Sequence, residues 1–194
     1  MAAARRLFPT QGYHATGIRQ ITAAARVNLG GVTYHYGSKR KLYHELLREV
    51  TGPLVEGFTA AAAGPGTPLD RIEAIVRHFF AHVRGRPEMI PLMVREMAGT
   101  GDLAAPVRDV LRTAAPLIGG VIAAGQAAGQ IRPGNPLLLT LSTMAQPVYL
   151  NLSRKGVRAG AGQDVMDEAH FEQTVEHAVA MVRAMLQAPG KAKS

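Results

Sequence analysis

The sequence of 194 residues contains no cysteine and no tryptophan, and aromatic residues make up only 5% of it. Without cysteine, neither a disulfide framework nor a zinc site built from thiolates can form. A chain without disulfides is compatible with a reducing compartment, so we expect a cytoplasmic protein. The apolar stretch "PLIGGVIAAG" is much shorter than the roughly 18 residues that a membrane-spanning helix needs, and we expect no membrane partner.

Motifs of catalysis and of cofactor binding are also missing. The sequence has no nucleophile elbow, no phosphate-binding loop, no zinc motif and no paired catalytic carboxylates. We therefore predict a protein that is not an enzyme and that holds no cofactor and no metal. An enzyme in the C-terminal part remains an alternative, which turnover by that part would support.

The positive charge is concentrated near the N-terminus. The net charge is +8; residues 1–50 hold 8 Lys and Arg against 2 acidic residues, which leaves 14 against 12 in residues 51–194. Such asymmetry favours an anionic partner, either nucleic acid or a membrane surface, although a basic segment can also be a solvated face.

Apolar residues recur at spacings of three and four, which predicts an all-α fold. We expect helices that end near Gln11, begin after the N-caps Thr16, Asn28 and Ser38, and span 69–83, 90–97, 105–128, 136–152 and 167–186. Breaks or kinks are expected at Pro116 and Pro147. The stretches "AAAAGPGTP" (60–68) and "KGVRAGAGQDV" (155–165) are predicted loops.

Residues 18–36 have the pattern of helix, tight turn and helix. Ile18, Ile21 and Ala25 share one helix face, and Val32 and Tyr36 return at i, i+4 to close a small core. If Val32 points inward, the opposite face of the second helix is small or polar. That face includes Gly30 and Tyr34, with Gly31, Thr33 and His35 beside them.

Gly30 and Gly31 stand near the start of that second helix. Each costs roughly 1 kcal/mol relative to alanine, so local stability does not favour them. They would allow another surface to approach the backbone closely. The alternative is that "NLGG" simply forms a turn.

The next helix begins with cations where acidic residues are favoured. Lys39, Arg40 and Lys41 follow the N-cap Ser38, at the positive end of the helix dipole. Unpaired backbone N–H groups and lysine at a helix start form an anion site when the charges face a phosphate. Lys39 is the predicted phosphate contact, whereas Arg40 and Lys41 could simply be solvated.

The segment "LFPTQGYHATGIRQITAAARVNLGGVTYHYGSKRKLY" (7–43) resembles the DNA-binding domain of the TetR family of transcriptional regulators. The likeness rests on the order of LF, GY, an Ile-rich helix, glycine in the second helix, an aromatic pair and GSK. It implies base contacts from Arg19, Leu29, Gly30, Gly31, Thr33 and His35, and backbone contacts from Tyr34 and Lys39. Thr33 stands where the family usually has tyrosine, and Arg26 stands where it usually has the glycine of the turn.

From this resemblance we expect a ligand-responsive repressor that binds a palindromic operator as a homodimer. Residues 1–46 would bind double-stranded DNA, residues 47–188 would form a ligand-binding and dimerisation domain, and residues 189–194 would be a disordered tail. The resemblance places the dimer interface on the last two long helices, 136–152 and 167–186. The alternative is a helical ligand-binding or dimerisation protein whose DNA-binding domain has degenerated.

A small-molecule effector of unknown identity would bind in the larger domain. Arg95 and Glu96 are adjacent charges among apolar residues, which could mark a pocket or the edge of an amphipathic helix. The candidate pocket residues are His78, Phe79, Met93, Arg95, Met97 and Met144.

His78 and His82 lie four apart and could bind a metal from one helix face, but no third ligand is nearby in sequence, so pocket or surface positions are favoured. The small-residue run "GGVIAAGQAAG" would permit close helix approach, either inside the domain or across a dimer.

Overall fold

Helices make up most of the part of the chain that its structure describes. A computed structural model describes residues 1–188, except for the side chains of Leu29, Val32 and Thr33, and confirms the predicted all-α class. Its helices are α1 (Ala2–Gln11), α2 (Ile18–Ala25), α3 (Leu29–Tyr36), α4 (Lys39–Ala62), α5 (Pro68–Gly85), α6 (Met89–Ala98), α7 (Ala105–Ala127), α8 (Pro136–Ala161) and α9 (Phe171–Leu186). The predicted disordered tail, 189–194, lies outside the described residues.

The predicted glycine-rich loop at 155–165 is wrong over its first part, because α8 continues to Ala161. The helix ends at Gly162, whose φ of 72° stops it. Just beyond, the Asp164 carboxylate accepts hydrogen bonds from Arg154 at 2.7 and 2.9 Å and from the Met166 N–H at 3.0 Å. These contacts stabilise the last turns of α8 and offset part of the low helix propensity of its glycines.

Other helix boundaries differ from the predictions by a few residues. α4 continues to Ala62, three residues into the predicted loop at 60–68, and α9 begins at Phe171 instead of residue 167. α7 and α8 continue through Pro116 and Pro147, so neither proline breaks its helix.

Two compact units divide the chain. The first comprises Met1–Pro53 and Arg86–Leu111, and the second comprises Leu54–Gly85 with residues 112–188. The predicted division into residues 1–46 and 47–188 remains a prediction. α4 and α7 each contribute residues to both units.

The first unit is built on α1, which packs against α2 and α6. Phe8 of α1 is fully buried and meets Tyr43 of α4 edge-on, with ring centroids 4.8 Å apart. Arg5, also on α1, donates to the carboxylates of Glu49 and Glu88, the latter at 2.6 Å. A guanidinium shared by two carboxylates ties α1 to α4 and to the start of α6.

In the second unit, α5 packs against α8 and α9. The apolar stripes of α5 and α9 form its core, with Ile72, Ile75, Val76 and Phe80 facing Val175, Val179, Val182 and Leu186. At the margin of this core Arg77 donates to Glu176 at 2.9 Å, and Arg183 donates to Glu73 and Asp70. Such exposed or partly buried pairs at the margin contribute little stability each, so apolar burial accounts for most of the packing energy.

α7 combines length with high hydropathy. Among the described residues it is the helix whose length and composition would allow it to cross a membrane, with a mean hydropathy of 1.2 over 18 residues, of which 22% are buried. Length and composition do not distinguish a membrane helix from a helix that packs against protein. They therefore assign α7 no membrane role.

Candidate nucleic-acid interface

α2 and α3 form the helix-turn-helix that the sequence pattern predicts. α2 packs against α1 and α3, with Ile21 buried and Ile18 half-buried. Ala25 is exposed, so the predicted inward face of α2 ends before it. The N-cap of α2 is Gly17, and the prediction of Thr16 as its cap is wrong because the Thr16 hydroxyl instead donates to the Gly12 carbonyl at 2.7 Å.

The turn between the two helices contains a strained residue. Arg26 has φ 54° and ψ 40°, and among the described residues that carry a side chain no other has a positive φ. The left-handed region costs a residue with a Cβ atom about 1–2 kcal/mol. Glycine, which the TetR family usually has at this position, adopts this left-handed conformation without that cost.

Asn28 caps α3, as its residue type predicts. Its Oδ1 accepts a hydrogen bond from the Gly31 N–H at 2.7 Å. Among the described residues, a Cβ atom built on Gly30 would meet this oxygen alone, at 3.5 Å, which is an ordinary contact distance. Packing against the described residues therefore does not require glycine at position 30.

The outward face of α3 is open to solvent. Tyr34 is 87% exposed, Gly30 and His35 are exposed, and Arg19 of α2 is exposed as well, whereas Gly31 is half-buried. Leu29 and Thr33 lie in α3, but their side chains are outside the described part. The structure thus leaves Arg19, Gly30, Tyr34 and His35 accessible, and their contacts with DNA remain predictions.

The first turn of α4 carries three cations and no acidic residue. Ser38 caps it as predicted, because its Oγ accepts a hydrogen bond from the Lys41 N–H at 3.2 Å. Arg40 and Lys41 are exposed, but Lys39 is half-buried. Lys39 therefore differs from its two neighbours in its surroundings, although all three carry the same charge.

Lys39 is half-buried because it lies over an aromatic ring. Its Nζ is 4.3 Å from the ring centroid of Tyr13, in the loop after α1. Sequence reasoning missed this pairing, since two helices separate the residues along the chain. The only sequence signal at Tyr13 is its place in the GY pair of the family resemblance.

The C-terminal end of α6 contacts α1 and α4. Arg95 donates from Nε to the Pro9 carbonyl at 3.0 Å and from Nη2 to the Thr10 carbonyl at 2.8 Å. Glu96 accepts from the Tyr43 hydroxyl at 2.7 Å and from the Ala104 N–H at 2.9 Å. Burial and the Glu96 carboxylate raise the pKa of Tyr43 far above its usual range, so this hydroxyl remains a donor at any physiological pH.

A cavity of about 760 Å³ lies within the first unit, beside these contacts. We call it the α6 cavity; its lining residues are 11–15, Arg40, Tyr43, His44, 95–96, 98–102 and Ala104. Its volume falls in the range of small-molecule pockets. Of the six predicted effector residues it includes Arg95.

The other predicted effector residues lie in two separate groups. His78, Phe79 and Met144 belong to the second unit, where His78 packs edge-on against Phe58, with centroids 6.0 Å apart. Met93 and Met97 belong to the first unit, and Met97 is 49% exposed. The predicted effector pocket therefore remains a prediction. Within residues 1–188, no group of three or more His, Asp or Glu side chains is placed to hold a metal ion.

Two family profiles match the chain. The family described as "Bacterial regulatory proteins, tetR family" matches residues 1–46, and the "Tetracyclin repressor-like, C-terminal domain" matches residues 68–182. The HTH-type transcriptional regulator RutR of Escherichia coli O157:H7 is 27% identical over 178 residues, which covers 91% of this chain and 84% of RutR.

Solved structures with the same fold include two bound to acyl-coenzyme A molecules. AibR, in complex with isovaleryl coenzyme A and operator DNA, superposes with a TM-score of 0.76 at 20% identity, over 93% of this chain and 94% of AibR. FadR from Bacillus subtilis, in complex with stearoyl-CoA, superposes with a TM-score of 0.71 at 16% identity, over 92% of this chain and 95% of FadR.

Proposed function

This chain belongs to the TetR family of bacterial regulatory proteins, and from that premise we propose that it is a ligand-responsive repressor that binds a palindromic operator as a homodimer. In this proposal residues 1–46 bind DNA, residues 47–188 bind an effector and dimerise, and the protein works in the cytoplasm without catalysing a reaction.

The open outward face of α3 carries the proposal. Packing against the described residues does not require glycine at position 30, and the exposed Tyr34 and His35 lie on the same helix. A helix with a bare, solvent-facing side fits into the major groove, where its side chains reach base edges. Arg19, Leu29, Gly30, Gly31, Thr33 and His35 would face the bases, and Tyr34 and Lys39 would contact the sugar-phosphate backbone.

An exposed apolar stripe on α8 supports the homodimer. Large apolar side chains that are more than half exposed follow the helical period along this helix: Leu137, Leu138, Leu141, Tyr149 and Leu152. Met181 on α9 is 49% exposed. Apolar patches of this kind on one face mark protein interfaces, and a twofold axis pairs the same face of two subunits. Two recognition helices related by that axis would read a palindrome.

Ligand control would act as a population shift. An effector that binds better to the arrangement whose recognition helices no longer match successive major grooves lowers DNA affinity by its differential binding energy. The structures of AibR and FadR with acyl-coenzyme A molecules support a small-molecule effector for this chain too. Its candidate contacts are His78, Phe79, Met93, Arg95, Met97 and Met144.

Selection of bound sequences from random duplex DNA tests this function. The purified full chain should enrich a palindrome whose half-sites are centred about one helical turn or a multiple of it apart. Affinity for the enriched duplex should fall steeply with salt, and Lys39→Ala should lower that salt slope by about one unit. Enrichment of no sequence, with weak binding to every duplex, would instead support the helical binding protein with a degenerate DNA-binding domain.

A further inference from the structure

We propose that Tyr13 is a positioning residue for DNA binding, which holds the Lys39 ammonium over its ring so that Lys39 is ordered before a phosphate arrives. This inference rests on the proposed function, because it assigns Lys39 a phosphate to contact. It adds a residue that contacts no DNA itself and acts through Lys39.

The contact has the geometry of a cation–π interaction. Lys39 Nζ lies 4.3 Å from the Tyr13 ring centroid, well within the roughly 6 Å at which a cation is attracted to a ring face. An ammonium has three N–H donors, and a ring face engages only one side of it. The remaining donors stay available to phosphate oxygens.

The ring of Tyr13 is itself held in place. It stacks on the buried Phe8, with centroids 6.2 Å apart, and lies 5.0 Å from the ring of Tyr43. Tyr43 is buried and its hydroxyl donates to Glu96 of α6. The ring under Lys39 is thus supported by α1, α4 and α6, which gives the lysine a fixed platform instead of a mobile one.

A Lys39 side chain that is already ordered should raise the affinity for DNA. A lysine carries four rotatable bonds, and immobilising such a side chain on binding lowers affinity. A lysine already placed by Tyr13 avoids most of that loss. Arg40 and Lys41, in the same helical turn, are exposed and have no comparable ring contact among the described residues. Lys41 therefore provides a matched control of equal charge.

The test measures binding of the full chain to two duplexes, one enriched by selection and one of mixed sequence, over a range of salt concentrations. Tyr13→Leu keeps apolar volume but removes the ring, and it should weaken binding to both duplexes by about three- to ten-fold. Tyr13→Phe keeps the ring and should bind like the wild type. Lys41→Ala should lose less affinity than Lys39→Ala.

A double-mutant cycle separates positioning from a general loss of structure. In the Lys39→Ala background, Tyr13→Leu should cause no further loss, because its effect passes through the lysine. Equal losses from Tyr13→Leu with and without Lys39 would overturn the proposal, and so would wild-type affinity in Tyr13→Leu. Circular dichroism melting of each variant shows whether it is folded.

A measurement without DNA tests the contact itself. In nuclear magnetic resonance spectra, the Cε protons of Lys39 should be shifted upfield by the Tyr13 ring, and the shift should vanish in Tyr13→Leu and remain in Tyr13→Phe. An unshifted Lys39 overturns the proposal whatever the DNA results are. Salt-dependent binding without sequence preference would contradict the proposed operator function, yet leave the Tyr13 proposal supported if the cycle behaves as expected. Absence of any salt-dependent DNA binding would overturn both.

Discussion

The imidazole ring of His78 lies against the backbone of Gly57, where an added Cβ atom would stand 2.0 Å from the ring atoms Cε1 and Nε2. Glycine inside a helix such as α4 costs roughly 1 kcal/mol relative to alanine. The close approach of the ring explains why that cost is accepted at this position. His78 of α5 thereby gains a fixed position on α4 within the second unit.

We expect Gly57→Ala to lower the free energy of unfolding by up to about 2 kcal/mol. The new methyl group forces the His78 ring out of its place at a cost of about 1–3 kcal/mol, and the roughly 1 kcal/mol by which a helix favours alanine over glycine offsets part of that cost. Urea unfolding followed by circular dichroism measures this change. Gly156→Ala, inside α8 of the same unit, is the matched control, since an added Cβ atom there would meet no atom of the described residues within 4 Å; this variant should gain up to about 1 kcal/mol. The double variant Gly57→Ala, His78→Ala should recover part of the loss. Full stability of Gly57→Ala alone would contradict the packing described here.

Replacement of Arg26 by glycine should stabilise the protein. The left-handed φ of 54° strains any residue with a Cβ atom, and glycine removes that strain while adding some entropy to the unfolded chain. The net gain expected is about 0.5–1 kcal/mol in urea unfolding. Arg26→Ala keeps the Cβ atom and should show no such gain. A gain of equal size in both variants would mean that the guanidinium, not the backbone, is the source of the effect.

A charge on the exposed stripe of α8 should separate the proposed dimer. Leu141 is 56% exposed. In a twofold interface the same position occurs once in each subunit, so Leu141→Glu would place two uncompensated carboxylates in the interface. The dimer dissociation constant should rise by about 100-fold, which corresponds to about 3 kcal/mol. Sedimentation velocity over a range of concentrations measures it. Met97→Glu, an exposed apolar position on α6, should leave the dimer intact; equal dissociation in both variants would argue against an interface on α8.

Stability should fall on mild acidification, partly because of His44. Burial lowers the pKa of this imidazole, and the nearby guanidinium groups of Arg48 and Arg40 lower it further. The unfolded chain takes up its proton near the usual value of 6.5, before the folded chain does, so stability is lost as the pH falls through 6.5. One proton contributes a slope no steeper than about 1.4 kcal/mol per pH unit. In urea unfolding between pH 7.5 and 5.5, His44→Gln should show a shallower decline than the wild type, and an unchanged slope would exclude His44 as a source.

Sequence reasoning succeeded where the signal is local. Asn28 and Ser38 cap their helices as their residue types predict, and the small outward face of α3 follows from the helical period. The prediction that Thr16 caps α2 is wrong, because the Thr16 hydroxyl donates to the Gly12 carbonyl instead. The glycines at the end of α8 predict a loop, but the contact between Arg154 and Asp164 stabilises a helix there. The helical period of the sequence does not indicate this contact.

Contacts between distant positions could not be predicted at all. Lys39 was identified by its misplaced charge, but nothing in the sequence pairs it with Tyr13. Arg95 and Glu96 stood out as charges among apolar residues, yet their partners on α1 and α4 depend on how the helices pack. Such pairings arise from tertiary structure, and local sequence patterns do not show which distant residues will meet.

The contacts of Arg95 and Glu96 with Pro9, Thr10 and Tyr43 have a consequence for how regulators of this kind diversify. A single recombination crossover near residue 46 would transplant α1, α2, α3 and the start of α4 but leave behind the α6 residues that are hydrogen-bonded to α1 and α4. A chimaera that received residues 86–111 together with the N-terminal helices would keep those hydrogen bonds. In this chain, the helices proposed to bind DNA therefore depend on two non-adjacent stretches, and exchange of one without the other should yield poorly folded hybrids.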